Sequence, residues 1–119
     1  KREDNKNKFS TGSVFINKGY QIKYMYGGDA YFDNMESFFG GNNYEIVDKK
    51  TFKPEEISFS NIWGVCDEDM FNKAIKTMNN EANQKKPFFN HIMTVSNHRP
   101  FTYPKNKIKI EDAKSREVV

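Results

Sequence analysis

The chain has 119 residues, enough for a modest core within one domain, and its 19 basic against 16 acidic side chains leave a formal charge of +3. That excess is scattered or gathered at the two ends, as in Lys1-Arg2 and Lys105 to Lys109, so nucleic-acid binding, which calls for a concentrated basic face, ranks low. Aromatic residues make up 15%, and these bulky groups argue against disorder despite a mean hydropathy of −0.89. The single cysteine, Cys66, allows no internal disulfide and reads as a small buried residue. No stretch approaches the roughly 20 apolar residues that cross a bilayer, and no signal peptide is visible.

In chain order, residues 1–8 are highly charged and read as a frayed start. Residues 11–18 run into Gly19, which suits the left-handed position that ends a helix. Residues 20–26 then read as a strand, with Tyr20, Ile22, Tyr24 and Tyr26 alternating against Gln21, Lys23 and Met25. Gly27-Gly28-Asp29 follows directly: two glycines permit a sharp turn or a close approach, and Asp29 is placed to cap a helix over 30–39 or to contact a ligand. Phe32, Met35 and Phe39 recur along that helix, and Gly40-Gly41 stops it.

Residues 44–47 form a short strand candidate, and 48–60 read as a connecting loop, with Pro54-Glu55-Glu56 suited to one helical turn. Asp67, Glu68 and Asp69 form an acidic cluster. Adjacent carboxylates on a helix point in different directions and do not converge on one ion, whereas all three suit a helix amino end, with Asp67 as the cap. That helix runs to Asn83 and is expected to bury Phe71, Ala74, Ile75, Met78 and Ala82 along one stripe.

The run from Lys86 to Pro104 organises the rest. Residues 88–95 are nearly all apolar or β-branched and bounded by prolines, which reads as a strand covered on both faces, with His91 as a hydrogen-bonded core residue. Beyond it stand Asn97, His98 and Arg99. Ligands of open α/β sheets collect beyond the carboxyl ends of the strands, and these side chains are suited to an anion: His98 exchanges a proton near neutral pH and Arg99 offers a planar fork of donors. Taken alone, the same residues also suit a plain polar turn.

Three ordered blocks carry a resemblance: Tyr26-Gly-Gly-Asp29 followed by Phe32-Asp-Asn-Met35, Trp63-Gly-Val-Cys-Asp-Glu-Asp-Met-Phe71, and Ile92-Met-Thr-Val-Ser-Asn-His-Arg-Pro-Phe101 preceded by Lys-Pro-Phe-Phe. From the first to the last they span about two-thirds of the chain, which resembles the lipoteichoic acid synthase-like branch of the sulfatase and alkaline phosphatase superfamily. The resemblance implies an α/β fold, part of a three-layer α/β/α sandwich with a mostly parallel sheet. It implies that residues 1–119 are an internal piece of a sulfatase-type catalytic domain. It also implies a membrane-anchored envelope enzyme whose catalytic domain lies outside the cytoplasmic membrane.

On that resemblance His98 matches the pocket histidine that contacts the transferred phosphoryl group or its departing oxygen, with Asn97 and Arg99 as neighbours. The region after the first strand belongs to the pocket for the glycerol phosphate head group, where lipoteichoic acid synthases carry a Trp and an Arg. This chain has Phe32-Asp33-Asn34-Met35, which leaves Asp29, Asp33 and Asn34 as candidate contacts. The implied chemistry is attack by a hydroxyl activated by a divalent cation (Mn, Zn, Mg or Ca), a covalent phosphoryl-enzyme intermediate, and release to an alcohol or water. The implied substrate is an anionic phospholipid or polymer head group, most simply phosphoglycerol. The family's nucleophile lies upstream and its Asp-His metal pair downstream of the matched blocks. No Asp-His pair occurs in this chain, and Thr11 lacks the nucleophile's context. The piece alone is therefore expected to be inactive, to hold no metal, and to self-associate through exposed sheet edges. Sulfate ester hydrolysis and a non-catalytic binding module of the same fold are the alternatives.

Overall fold

Gly19 sets the first corner of the chain. Helix α1 (Thr11–Asn17) ends there, with Gly19 at φ +82°, and the chain reverses into β1 (Gln21–Tyr26). A computed structural model describes residues 4–107. β1 is the middle of a three-stranded parallel sheet ordered β2-β1-β3, with β2 at Glu45–Val47 and β3 at Phe88–Met93. Tyr24 pairs with Ile46 on one side and His91 on the other.

The two faces of β1 pack differently. Ile22, Tyr24 and Tyr26 join Tyr44, Ala30 and Val95, with Phe15, Phe39 and Phe89 against them. Tyr24 stacks on Phe39 at 3.7 Å between ring centroids, and burial pushes its hydroxyl pKa up to about 12. α1 approaches this face through Gly12, where any side chain would strike Tyr44 and Ile22. On the other face Met25 packs with Val47, Val65, Met70 and Ala74 beneath α3 (Asp67–Asn83). Lys23 is only 9% exposed there, paired with Glu45 and, at 3.4 Å, with Glu81, which also accepts from Asn90 Nδ2 at 2.7 Å. Burial pulls the Lys23 pKa down, but the two carboxylates outweigh it and hold it above its ordinary value.

Four expectations need correction. The helix over 30–39 is broken: a 3₁₀ turn at Phe32–Asn34 precedes α2 (Met35–Gly41), because Asp33 (φ +50°) and Asn34 (φ +64°) take left-handed conformations that Asp and Asn tolerate best after Gly. The buried stripe of α3 is shifted. Phe71 is 49% and Ile75 53% exposed and Ala82 is exposed, while Asp69, Met70, Ala74 and Glu81 are buried. Glu81 turned toward Lys23 and Asp69 turned toward Ser58 set that rotation, so buried charge, not apolar spacing, chose the face.

β3 is the edge of the described sheet instead of a strand covered on both faces. His91 and Met93 are exposed, and His91 meets Tyr24 and Phe39 by ring-edge contacts at 5.3 and 5.5 Å instead of lying hydrogen-bonded in the core. Finally, Asp67 does not cap α3. Cys66 occupies that position, and the Asp67 carboxylate reaches across to the backbone beyond β3. The expected single turn at Pro54–Glu56 is present as a 3₁₀ turn. Ile108, Ile110 and the rest of the tail lie outside the described residues.

Candidate functional site

The site forms where three loops meet beyond the carboxyl ends of β1 and β3. Gly27 N donates to Met93 O at 3.2 Å, and Gly27 O accepts from Val65 N at 2.9 Å, so the loop after β1 is held between β3 and the loop before α3. The approach is possible only for glycines. A side chain on Gly28 would strike Trp63 O, and one on Gly64, at φ +152°, would strike Gly27 O. These contacts carry Trp63 to the end of β1.

Two buried carboxylates fix the neighbouring turns. Asp48 Oδ2 accepts from Ala30 N at 3.0 Å and its Oδ1 from Lys50 N at 3.1 Å, while Lys49 N donates to Gly28 O at 2.9 Å. Asp69 accepts from Ser58 N and Ser58 Oγ, both at 2.8 Å, and from Phe59 N at 3.2 Å. Burial raises the Asp69 pKa, but those donors outweigh it and hold it below the ordinary carboxylate range. Asp67, at the start of α3, accepts from Val95 N at 3.2 Å and Ser96 N at 2.9 Å, and its own N–H donates to Ser96 Oγ at 3.0 Å. The exit of β3 is thereby pinned just before Asn97.

His98 follows. Its ring lies 4.0 Å from that of Trp63, centroid to centroid, and its Nδ1 is 2.8 Å from Arg99 O. A carbonyl only accepts, so Nδ1 carries the hydrogen and Nε2 is left to accept or, when protonated, to donate outward. The turn closes with Phe101 N donating to His98 O at 2.8 Å, a cis peptide between Arg99 and Pro100, and Phe101 at φ +57°. Asn61 ties the two loops: its Oδ1 accepts from Trp63 N at 2.8 Å and its Nδ2 donates to Thr102 Oγ1 at 2.9 Å. Asn97, His98 and Arg99 are all exposed.

Asp29 lines a cleft with Trp63. Its Oδ1 accepts from Tyr31 N and pairs with Lys50, both at 2.9 Å, and these two partners hold its pKa below the ordinary range. Asp29 therefore closes a turn instead of capping a regular helix. Tyr26, Asp29, Phe32, Ile62 and Trp63 line a cleft of about 300 Å³, with Phe32 edge-on to Trp63 at 5.5 Å. Asp33 is exposed on the turn beside it. Asn34 faces a separate hollow with Lys6, Tyr31 and Glu36, and its Oδ1 is buried without a partner. The candidates thus divide: Asp29 lines the aromatic cleft, His98 touches only its Trp63, and Asn34 faces a different hollow. Trp63, Asp48 and Asn61 were not singled out from sequence as site residues; the one usable signal was the lone Trp beside Gly64 in a matched block.

A parallel α/β sheet with its polar residues gathered beyond the strand carboxyl ends is the layout of an alkaline phosphatase-like domain. The chain belongs to the sulfatase family, whose family model matches residues 5–117. Among solved structures it is similar to a protein in the alkaline phosphatase superfamily from Vibrio parahaemolyticus. The TM-score is 0.88 with 36% identity, covering 98% of this chain and 29% of that one. It is also similar to the lipoteichoic acid synthase LtaP from Listeria monocytogenes, with a TM-score of 0.73 and 25% identity, covering 86% of this chain and 24% of that one. The chain therefore spans less than a third of either relative.

Proposed function

We propose that these residues form the head-group side of the active site of a phosphoester transferase or hydrolase of the cell envelope. The substrate is a phosphoglycerol or related head group on a lipid or polymer. The observation that carries this reading is His98, beyond the end of β3, with Nδ1 committed to Arg99 O and its ring against Trp63. Held so, Nε2 can hydrogen-bond a phosphoryl or departing oxygen and supply or take its proton. Arg99 offers its fork to the remaining oxygens and Asn97 an amide. Asp67 acts as a positioning residue for all three through the backbone of Val95 and Ser96. The likeness to a lipoteichoic acid synthase supports the phosphoester over the sulfate ester. The sulfatase family model keeps sulfate hydrolysis as the second reading.

Members of this superfamily generally use divalent metals. Among the described residues no group of three or more His, Cys, Asp or Glu side chains could hold an ion, so no step here runs through one. The nucleophile and any metal ligands belong, in this proposal, to other parts of a longer protein in which residues 1–119 are an internal piece of the catalytic domain. Among the described residues no helix is long and apolar enough to cross a membrane. The anchor expected of an envelope enzyme with its catalytic domain outside the membrane is likewise assigned to other segments. The 119-residue chain alone is proposed to be inactive and to self-associate through the β3 edge.

The test is turnover by the complete protein, supplied with manganese or zinc, on a phosphoglycerol lipid analogue and an aryl sulfate side by side. Phosphoester turnover that falls at least about 100-fold in His98→Ala is the expected result, the scale of a lost acid-base or oxyanion contact. Cleavage of the sulfate alone would move the assignment to a sulfatase, and no turnover of either would favour a binding module.

A further inference from the structure

His98 sits in an exposed turn, and the direction of such a turn is set by what holds its two limbs. The near limb is fixed by Asp67, whose carboxylate accepts from Val95 N at 3.2 Å and Ser96 N at 2.9 Å. Within the turn, His98 N donates to Val95 O at 3.1 Å and Phe101 N to His98 O at 2.8 Å. Those bonds close the turn on itself without fixing where it points. The far limb meets another segment at Thr102, whose Oγ1 accepts from Asn61 Nδ2 at 2.9 Å. Between the two limbs the Trp63 ring lies 4.0 Å from the His98 ring. Asp67, Trp63 and Asn61 thus meet residues 95–96, 98 and 102 in reverse order, as a splint laid along the turn.

The Asn61 amide is oriented by its own neighbours. Its Oδ1 accepts from Trp63 N at 2.8 Å and Gly64 N at 3.3 Å, and its backbone N–H donates to Gly64 O at 2.9 Å. Backbone N–H groups only donate, so they claim the amide oxygen and leave Nδ2 to face Thr102. The small loop behind it is firm: Ser60 bridges to Val65, and Val65 N donates to Gly27 O at 2.9 Å at the end of β1. One side chain therefore reaches both rings, that of Trp63 through its backbone and that of His98 through Thr102. Thr102 is exposed, so the bond adds little to the core, and its effect falls on the direction of the turn.

We propose that Asn61 is a positioning residue for His98: through Thr102 it holds the far limb of the turn, so that the imidazole stays against Trp63 with Nε2 directed to the phosphoester. The inference rests on the phosphoester reading above and adds to it a residue that touches neither the substrate nor the reacting atoms. Asp67 steadies the turn from before His98, and Asn61 steadies it from behind.

The experiment measures turnover of the phosphoglycerol lipid analogue by the complete protein, supplied with manganese or zinc. Thr102→Val removes the acceptor while keeping the side chain's shape and the bonds from Asn61 to Trp63 and Gly64. It is expected to lower turnover about 10-fold, the scale of a misplaced catalytic group, with the melting temperature within about 2 °C of the parent's. Thr102→Ser keeps the hydroxyl and should stay within about 2-fold of the parent. Asn61→Ala, which also frees Trp63 N, should lose at least as much turnover as Thr102→Val. Because the effect runs through His98, Thr102→Val should lower the residual turnover of His98→Ala by less than about 2-fold. A full further loss in that background, a Thr102→Ser variant as slow as Thr102→Val, or a Thr102→Val variant as fast as the parent overturns the inference and leaves the phosphoester reading standing. A His98→Ala variant as fast as the parent, or a parent that turns over no phosphoester, removes that reading and the inference with it.

Discussion

The carboxylates of Asp48, Asp67 and Asp69 and the side chains of Asp29, His98 and Arg99 belong to the same loops, yet they are held in opposite ways. Each of the first three accepts two or three hydrogen bonds, most from backbone N–H groups, and Asp48 and Asp69 are buried. The second three are exposed: Asp29 accepts from Tyr31 N and pairs with Lys50 at the surface, and His98 holds only a neighbouring carbonyl. The buried set spends its charge on the chain itself and builds a frame. The exposed set keeps its charge for something outside the chain, which is what a binding site needs.

Breaking the frame should cost far more stability than emptying the site. Gly64→Ala is expected to have the largest effect, about 3 kcal/mol or outright failure to fold, since it combines a forbidden φ with a clash on Gly27 O. Urea denaturation reads that loss. Asp69→Ala comes next, at about 2 to 3 kcal/mol, because Ser58 N, Ser58 Oγ and Phe59 N lose their acceptor. Faster hydrogen exchange at the Ser58 and Phe59 amides would confirm the cause, and unchanged exchange would count against it.

A smaller effect follows pH. Lys73, then the Lys53 backbone and Lys76, hold the Glu56 pKa down from 4.5 to about 2. A carboxylate lowered on folding stabilises above its unfolded pKa, and that contribution is lost as pH falls from about 4.5 toward 2. Glu56→Gln should flatten the melting temperature over that window and cost about 1 kcal/mol at neutral pH. The smallest effect belongs to the site: His98→Ala should change stability by less than about 0.5 kcal/mol, the usual limit for exposed positions. A larger loss would show that the His98–Trp63 contact is part of the frame, and would undo the contrast.

Legibility from sequence followed the range of the interactions. The corner at Gly19, the strand after it and the stop at residues 40–41 rest on local chemistry, and each could be read. The existence of α3 was equally readable, but its buried face was not, because Lys23 lies far along the chain from Glu81 and apolar spacing carries no record of that pairing. The break at Asp33 and Asn34 left only a faint trace, two residues that tolerate left-handed backbone inside an otherwise helical pattern. For the site, the position of Asn97, His98 and Arg99 beyond a strand end was visible in the switch from apolar to polar residues. The ring of Trp63 beside His98 was not, since contacts among Gly27, Gly28 and Gly64 bring those loops together and glycines carry no side-chain signal.

Those glycine contacts have a further consequence for how such a site changes over time. Because the loops are registered backbone against backbone, their spacing does not depend on the side chains that line the cleft. The exposed positions 32 and 62 can therefore be exchanged, one at a time, for residues of other size or charge without moving the backbone that carries Trp63 and His98. A different ligand could be admitted by substitution on the rim alone, with the residues proposed to handle the phosphoester left in place.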